Sequence, residues 1–567
     1  MTRPPSRFFA ALATWGLVFL ASPGILGRDG FGPLALVALV PWALVCSRAG
    51  PRALLTEWAA AGIGSAALCA WTVDVWWGTL FFLVVVPGFY MAAAGSLLRL
   101  LARRYPLAIA APVAWVALES LRFLVDPPLS FGWLRVGTCF HATSWLAGSA
   151  RVWGTSGLSF VAAAFAGAIA DLLRRRSANR RREQRRRSPR WAAAMGAMPL
   201  AAAVAISLST AAPPTRPGPR VLLVQPSFEQ HRKMNARQWQ ELANESLALT
   251  AKGLAEAGPP PPDLVAWGET MFPFPLAEPG LAGAYDGGAR APTWARDRLS
   301  RPWIDQMDRV EADWIRGRIF GARGILPPGT SFLTGVEYHA LHDGEIRRQN
   351  AILLFGPNGE RAGVGGKIHL VPGAEALCGA ERIGFVRSLV ESVAGYVPDL
   401  QALDRTSVLD LVARDGRTFR FGASVCFDNT FDDAYTEPLR RGDLDFHLVC
   451  SNEAWYEKSF EYDQMVAFSR LLAIATGRSM VRATNAGISI VLDPAGKEVA
   501  RLEIPGQGDR MVTGCLAAVV PVPAEGSATL RTPFVRYENA WIALWLALPC
   551  LLAFFVVRGG YTSFERG

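Results

Sequence analysis

The sequence predicts a bundle of about eight transmembrane α-helices carrying one large exported α/β domain, and three observations predict it. Long apolar runs alternate with short Arg clusters over residues 1–208, the runs shorten to strand length over 209–540, and one more long apolar run follows at 541–557. A net charge of +10 over 567 residues coexists with 51% hydrophobic residues and a mean hydropathy of +0.20. That combination argues against a basic, soluble nucleic-acid binder, whose cations would be spread among polar residues. The eight cysteines are scattered without a CxxC pair, so neither a disulfide framework nor a structural zinc site is expected.

A hydrocarbon core of about 30 Å requires roughly 20 helical residues. The candidate spans are 8–27, 31–46, 53–73, 75–98, 107–125, 152–170, 191–208 and 541–557. The third contains Glu57 and many small residues. The first sits where a signal peptide would, but it is long and another apolar run follows at once, so it is read as a retained helix. Alternate loops and the two termini hold 19 basic residues, ten of them between Arg174 and Arg190, whereas the opposite loops hold only Arg28, Arg135 and Arg151. By the positive-inside rule both termini face the cytoplasm, and the segment between the seventh and eighth spans faces outward. The Arg174 to Arg190 run then reads as a topogenic loop beside anionic headgroups rather than a nucleic-acid surface. Within the fifth span, Glu119 and Arg122 share a helix face and are placed to pair. The domains are accordingly 1–208 (seven spans), 209–540 (exported) and 541–567 (last span and tail).

The exported segment begins with a Pro-rich linker at 211–220. Strands are expected at 220–225, 263–268, 331–338, 351–355, 418–425, 446–450, 480–484 and 488–492. Pro357-Asn358-Gly359 and Pro494-Ala495-Gly496 are hairpin turns. Residues 235–257 and 463–478 carry helical apolar spacing. Hairpins mixed with helical crossovers point to layered α/β architecture. No internal repeat, strand-linked GxGxxG, P-loop or HExxH occurs.

Three polar residues lie at the ends of predicted strands. They are Glu269 after Leu264-Val265-Ala266-Trp267-Gly268, Lys367 in Gly366-Lys367-Ile368-His369-Leu370-Val371-Pro372, and Cys426 in Ser424-Val425-Cys426-Phe427-Asp428. Each alone has an ordinary explanation as a surface carboxylate, a solvated cation or a small buried hydrophobe. Lysine is rare here, however, at five residues against 53 Arg. A site needing a compact, partly buried ammonium requires Lys rather than the diffuse guanidinium. Together the three form a nucleophile set: Cys426 attacks, Glu269 moves the proton, and Lys367 lowers the thiol pKa and stabilises the oxyanion, with the Phe427 N–H as a second donor. Cys450 is a rival nucleophile but lies inside a predicted strand. His369 fits a structural hydrogen-bonding role.

The order Glu, Lys, Cys at strand ends resembles the carbon-nitrogen hydrolase (nitrilase) superfamily. The run Lys367 to Glu375 and the span pattern resemble its membrane-bound branch, the apolipoprotein N-acyltransferases. Further similar stretches are Val224-Gln225-Pro226, Gln349-Asn350-Ala351, Ser451-Asn452-Glu453 and Phe131-Gly132-Trp133. The resemblance implies an αββα sandwich for the exported domain and a catalytic Glu269, Lys367 and Cys426. Glu375 would be a fourth functional position, stabilising the intermediate together with Lys367, and Asp428 and Asn452 would support the site. It also implies a bacterial inner-membrane enzyme that acylates the N-terminal diacylglyceryl-cysteine of an apolipoprotein, taking the acyl group from a membrane phospholipid through a Cys426 thioester. No cofactor, metal or nucleic acid is implied. This sequence departs from the family at Gly268, where a Pro is usual, at Gly373-Ala374, at Phe427-Asp428, at Glu453 and near Lys233-Met234, and residues 281–324 look inserted. Two other readings stay open from the residues alone: a membrane-tethered amidase hydrolysing a small amide, and a non-catalytic membrane scaffold. The net charge divides accordingly, the membrane segments carrying +15 and residues 209–540 carrying −5.

Overall fold

The computed structural model describes residues 4–47, 53–75, 77–125, 129–179, 189–292, 299–394, 398–527 and 529–564. Arg3, Arg48, Arg52, Arg566 and the stretch 180–188 of the Arg-rich run lie outside the described residues. The chain forms two compact units: residues 1–212, 459–477 and 531–567, and residues 213–458 and 478–530.

The first unit is helical. Among the described residues, four of its helices are long and apolar enough to cross a membrane: Thr79–Leu101, Leu107–Leu124, Ala150–Arg174 and Pro533–Arg558. Four more apolar helices are shorter, at Arg7–Ala21, Gly32–Cys46, Leu54–Leu68 and Ala193–Ser209. The expected span 53–73 is thus cut short, because the helix stops at Leu68 and a 3₁₀ turn, Ala70–Asp74, takes over. Glu119 and Arg122 are both buried, yet each turns to another partner. Glu119 accepts from Trp115 Nε1 at 3.1 Å, and Arg122 donates to the Leu134 carbonyl at 3.3 Å. The helix Glu461–Thr476 belongs to this unit although composition places it in the exported segment. Its Gln464 accepts from Trp71 Nε1 and Trp133 Nε1 and donates to the Leu68 carbonyl, which gives the Phe131-Gly132-Trp133 stretch a packing role.

The second unit is built on thirteen strands: β1 Thr215–Gln225, β2 Leu264–Trp267, β3 Leu276–Ala277, β4 Ser331–His342, β5 Glu345–Phe355, β6 Arg361–Gly366, β7 Ser407–Val412, β8 Thr418–Val425, β9 Phe446–Ser451, β10 Ser479–Thr484, β11 Ile490–Leu492, β12 Glu498–Arg501 and β13 Gly514–Pro523. They form two sheets, ordered β13-β1-β2-β4-β5-β6 (with β3 on β4) and β12-β11-β10-β9-β8-β7. Alternation decides what each face meets. On β1, Val221 and Leu223 point between the sheets, where they join Leu264, Ile352, Phe421, Leu448 and Val481. Leu222 and Val224 point outward to Leu242 and Ala243 of the helix Trp239–Ala257. The helix Asp433–Arg441 lies along the second sheet, its Tyr435 hydroxyl accepting from Ser424 on β8. The layers therefore run helix, sheet, sheet, helix, as expected. The predicted strands are present, and both Gly-containing turns join hairpins, β5–β6 and β11–β12. β3, β6, β7, β12 and β13 are not among the strands the sequence predicts. The short, mixed Arg361–Gly366 and Glu498–Arg501 lack the apolar signal that pairing partners replace.

β1, β2 and β4 run parallel, as do β8, β9 and β10. β5 is antiparallel to β4, and β6 is antiparallel to β5, so β6 runs in the direction of β2. Parallel neighbours need crossovers, which leave loops at the carboxyl ends of the strands, where layered α/β folds bind ligands. Behind that edge Arg482 of β10 and Glu453 form a buried ion pair, with Ser451 Oγ also donating to Glu453 at 2.7 Å. Removing one partner of such a pair costs about 3–5 kcal/mol, because the other charge stays buried. Arg482→Met is therefore expected to destabilise this unit by about that amount, read as a lowered unfolding midpoint in detergent, with Arg482→Met/Glu453→Gln recovering part of the loss.

Candidate active site

Glu269 follows β2 by way of Gly268, and the backbone there is clamped from two sides. A Cβ on Gly268 would lie 2.7 Å from the Thr484 carbonyl carbon and 2.8 Å from the Asn485 nitrogen. A Cβ on Gly335 of β4 would lie 2.6 Å from both Glu269 Cα and Thr270 N. The ends of β2, β4 and β10 approach closely here because these two residues lack side chains. The turn continues through Thr270 at φ 49°, in the left-handed region.

Lys367 ends β6 and is almost fully enclosed, at 1% exposure. Its Nζ lies 2.7 Å and 2.8 Å from the two Glu375 carboxylate oxygens and 3.8 Å from Glu269 Oε1. Glu375 is fixed in turn by the Val371 N–H at 2.8 Å. Asn350 of β5 lies between the two carboxylates, its Nδ2 donating to Glu269 Oε1 at 2.7 Å and to Glu375 Oε1 at 3.2 Å. Burial alone would lower the Lys367 pKa, but Glu375, Cys426 and Glu269 outweigh it and hold the ammonium well above its ordinary value.

Cys426 follows β8 and opens a 3₁₀ turn, Cys426–Thr430, with its own φ at 48°. A non-glycine residue held there is strained, a feature that concentrates at functional sites. Burial first, then the negative field of Glu269, keeps the thiol pKa well above normal, against the opposing pull of Lys367. Glu269 is also raised, by burial first, with Lys367, Asn350 and Lys233 opposing and Glu375 adding to the rise. Burial thus holds both the Cys426 thiol and the Glu269 carboxyl above their ordinary pKa values, with Lys367 opposing the rise at each.

Asp428 ties the turn at Cys426 to the lysine loop. Its carboxylate accepts from Val425 N at 3.0 Å, His369 N at 2.8 Å and Ile368 N at 3.3 Å. Burial pushes it up to about 6 despite His369. His369 itself binds Asp433 at 3.0 Å and stacks on Phe431, a structural arrangement. Phe427 packs edge-on against Phe431. Asn452, at the end of β9, donates to Gln230 and accepts from Asn485 Nδ2, both at 2.9 Å. Cys450 is enclosed between the sheets, its Sγ facing the Trp267 carbonyl, and is core. Glu269, Glu375, Asn350 and Asn452 line a cavity of about 340 Å³ whose other walls include Phe228, Met234, Trp239 and Trp455. The structure thus brings Glu269, Lys367, Cys426 and Glu375 into one electrostatically coupled cluster, with Asp428 behind it and Asn452 on the cavity wall.

Two members of this cluster had no assigned role in the sequence. Asn350 was visible only as part of a similar stretch, because a strand-internal Asn carries no signal until its strand is placed between two carboxylates. Lys233, whose Nζ donates to the Glu269 carbonyl at 3.0 Å and to Thr270 Oγ1 at 2.9 Å, was visible only as one of five lysines and as part of a departure from the family, without a role. Among the described residues no group of His, Cys, Asp and Glu is arranged to hold a metal ion, and all eight cysteines are free.

Comparisons with known proteins divide the chain in the same order. Residues 16–168 match the apolipoprotein N-acyltransferase N-terminal domain, and residues 329–507 match the carbon-nitrogen hydrolase domain. The second match contains Lys367, Glu375, Cys426, Asp428 and Asn452, while Glu269 precedes it. The apolipoprotein N-acyltransferase of Geobacter metallireducens is 26% identical over 511 residues, covering 87% of this chain and 86% of that protein. That of Chlorobaculum tepidum is 25% identical over 424 residues, covering 75% and 72%.

The clamp on Glu269 gives a direct test. Gly335→Ala places a methyl group against the Glu269 and Thr270 backbone, an overpacking that costs about 1–3 kcal/mol. Reactivity of Cys426 toward iodoacetamide is expected to fall at least tenfold while the unfolding midpoint falls only modestly, since the displaced backbone carries Glu269, which is electrostatically coupled to Cys426.

Proposed function

We propose, for a chain that belongs to the apolipoprotein N-acyltransferases of the carbon-nitrogen hydrolase superfamily, that it moves an acyl group from a membrane phospholipid to the α-amine of the diacylglyceryl-modified N-terminal cysteine of an apolipoprotein. The observation that carries this is the convergence of Glu269, Lys367 and Cys426 at the carboxyl ends of strands from two sheets, beside a largely apolar cavity.

The first half-reaction begins with Cys426 Sγ attacking the phospholipid ester carbonyl as Glu269 takes the thiol proton. The Lys367 ammonium, with the Phe427 N–H as a second donor, stabilises the oxyanion. The carbon–oxygen ester bond breaks, Glu269 returns the proton to the leaving alkoxide, and a thioester remains with a lysophospholipid released. In the second half the acceptor amine attacks the thioester and Glu269 takes a proton from its nitrogen. The carbon–sulfur bond then breaks, the sulfur regains a proton, and the amide leaves. Glu375 holds Lys367 in register throughout. The sequence of steps is ping-pong.

A catalytic domain anchored to the bilayer lets both lipid substrates react without extracting their chains into water. In this reading eight helices span the bacterial inner membrane, including the four shorter ones, which at 1.5 Å per residue need local thinning or flanking anchors. Residues 1–208 supply seven spans, 209–540 the outward catalytic domain apart from the helix Glu461–Thr476, which groups with the helical unit, and 541–567 the last span and a cytoplasmic tail.

Two measurements check the reading. Incubation with a phospholipid labelled in its acyl chain is expected to add one hydroxylamine-labile acyl group to Cys426, absent in Cys426→Ser. The label then passes to a diacylated lipopeptide, and release only as free fatty acid would sink the transferase assignment. For topology, impermeant thiol reagents applied to intact spheroplasts are expected to miss a cysteine placed at residue 2 and to reach one placed at residue 507.

A further inference from the structure

Glu269 as a base must be ionised before it can accept a proton, yet burial works against its charge. Lys367 opposes that only in part. Its ammonium is held at 2.7–2.8 Å by both oxygens of Glu375 and stands 3.8 Å from Glu269. Arg348, which lines the cavity together with Lys233, is occupied by Glu337 at 2.6 Å and by Asp399. Lys233 differs from both. Its two hydrogen bonds go to uncharged oxygens, the Glu269 carbonyl and Thr270 Oγ1, so among the described residues no carboxylate neutralises it at contact distance. An ammonium has three N–H bonds, and its charge here is spent on the field around Glu269.

We propose that Lys233 is the positioning residue of the base: its ammonium grips the turn at Glu269 and Thr270 and, by its charge, keeps the Glu269 carboxylate ionised toward Cys426. The grip has a mechanical reason, because Thr270 is held at φ 49° and its hydroxyl is one of the two anchors. Lys233 is itself fixed, since it closes the short helix Gln230–Lys233 and its carbonyl accepts from Trp239 Nε1 at 3.0 Å. The electrostatic coupling includes Cys426 as well as Glu269, and burial lowers Lys233 to about 8. The groups that set the charge of Glu269 are therefore Lys367, Glu375 and Cys426 from the strand ends, Lys233 from the loop after β1, and Asn350 from β5. Of the five lysines in the chain, two thus serve one carboxylate, one beside its side chain and one beside its backbone.

The inference rests on the assignment of Glu269 as base to Cys426, and the test separates the two. Full-length protein in detergent micelles is alkylated with iodoacetamide between pH 5 and 9, with Cys426 followed by mass, and acylation by labelled phosphatidylethanolamine is measured in parallel. Lys233→Gln removes the charge and keeps two N–H donors on a stem one atom shorter. Its alkylation rate is expected to fall at least tenfold at pH 6, with the acid limb of the profile moved upward by about one unit and most of the loss recovered near pH 9. Lys233→Met is expected to show the same shift with a further pH-independent loss, and Lys233→Arg to keep the wild-type limb. A loss equal at every pH in Lys233→Gln, or no loss, overturns the inference even if the lipid acylates Cys426 normally. A shifted limb without any lipid-derived thioester leaves Lys233 in its role and overturns the acyltransferase reading.

Discussion

An ammonium enclosed in protein is the constraint around which the catalytic unit is arranged. Desolvating a single charge costs several kcal/mol even after relaxation, and the cost is met only by close, well-oriented countercharges. Lys367 meets it with Glu375 in contact and Glu269 one step further away. Two carboxylates this near one another would each favour protonation, so a neutral donor is needed between them, and Asn350 supplies it to both. Enclosing the lysine loop against the nucleophile turn then requires a tie, and Asp428 accepts from main-chain N–H groups on both sides.

The two-sheet architecture makes that cluster possible. Glu269, Lys367 and Cys426 are separated along the chain, yet each comes directly after a strand, and β2 and β6 of the first sheet run in one direction. The carboxyl ends gather at a common edge, so a short loop after each strand suffices to bring charges together. Backbone packs closely at that edge, with Gly268 and Gly335 admitting neighbours that any side chain would push away. Strain at Thr270 and Cys426 is sustained because the surrounding sheets over-determine those positions.

Charge divides the molecule as the topology does. The Arg-rich loops belong to the segments around the apolar helices, whereas residues 209–540 are mildly acidic. Within the second unit Arg348 is committed to Glu337 and Asp399, and Arg482 to Glu453. The two cations bearing on Glu269 are both lysines. A lysine end is a compact charge on a flexible stem, able to enter a space that a planar guanidinium would fill.

Much of this was legible in the residues. The long apolar runs and the asymmetry of Arg indicated a membrane part, and β-strand periodicity with turn residues located most of the strands, because burial on both faces leaves a continuous apolar signal. Lys367 stood out by rarity, and Glu269 and Cys426 by their place after apolar runs. The short edge strands β6 and β12 were hidden, since hydrogen-bond pairing rather than side-chain character makes them strands. So were the hydrogen-bond partners of Glu119 and Arg122 and the grouping of Glu461–Thr476 with the helical unit. The sequence by itself determined the elements and the chemical groups, because periodicity and side-chain chemistry are local properties. Only the tertiary structure decided that Asn350 and Lys233 serve Glu269, because a polar side chain acquires a partner only when the strands or loops that carry it are placed side by side.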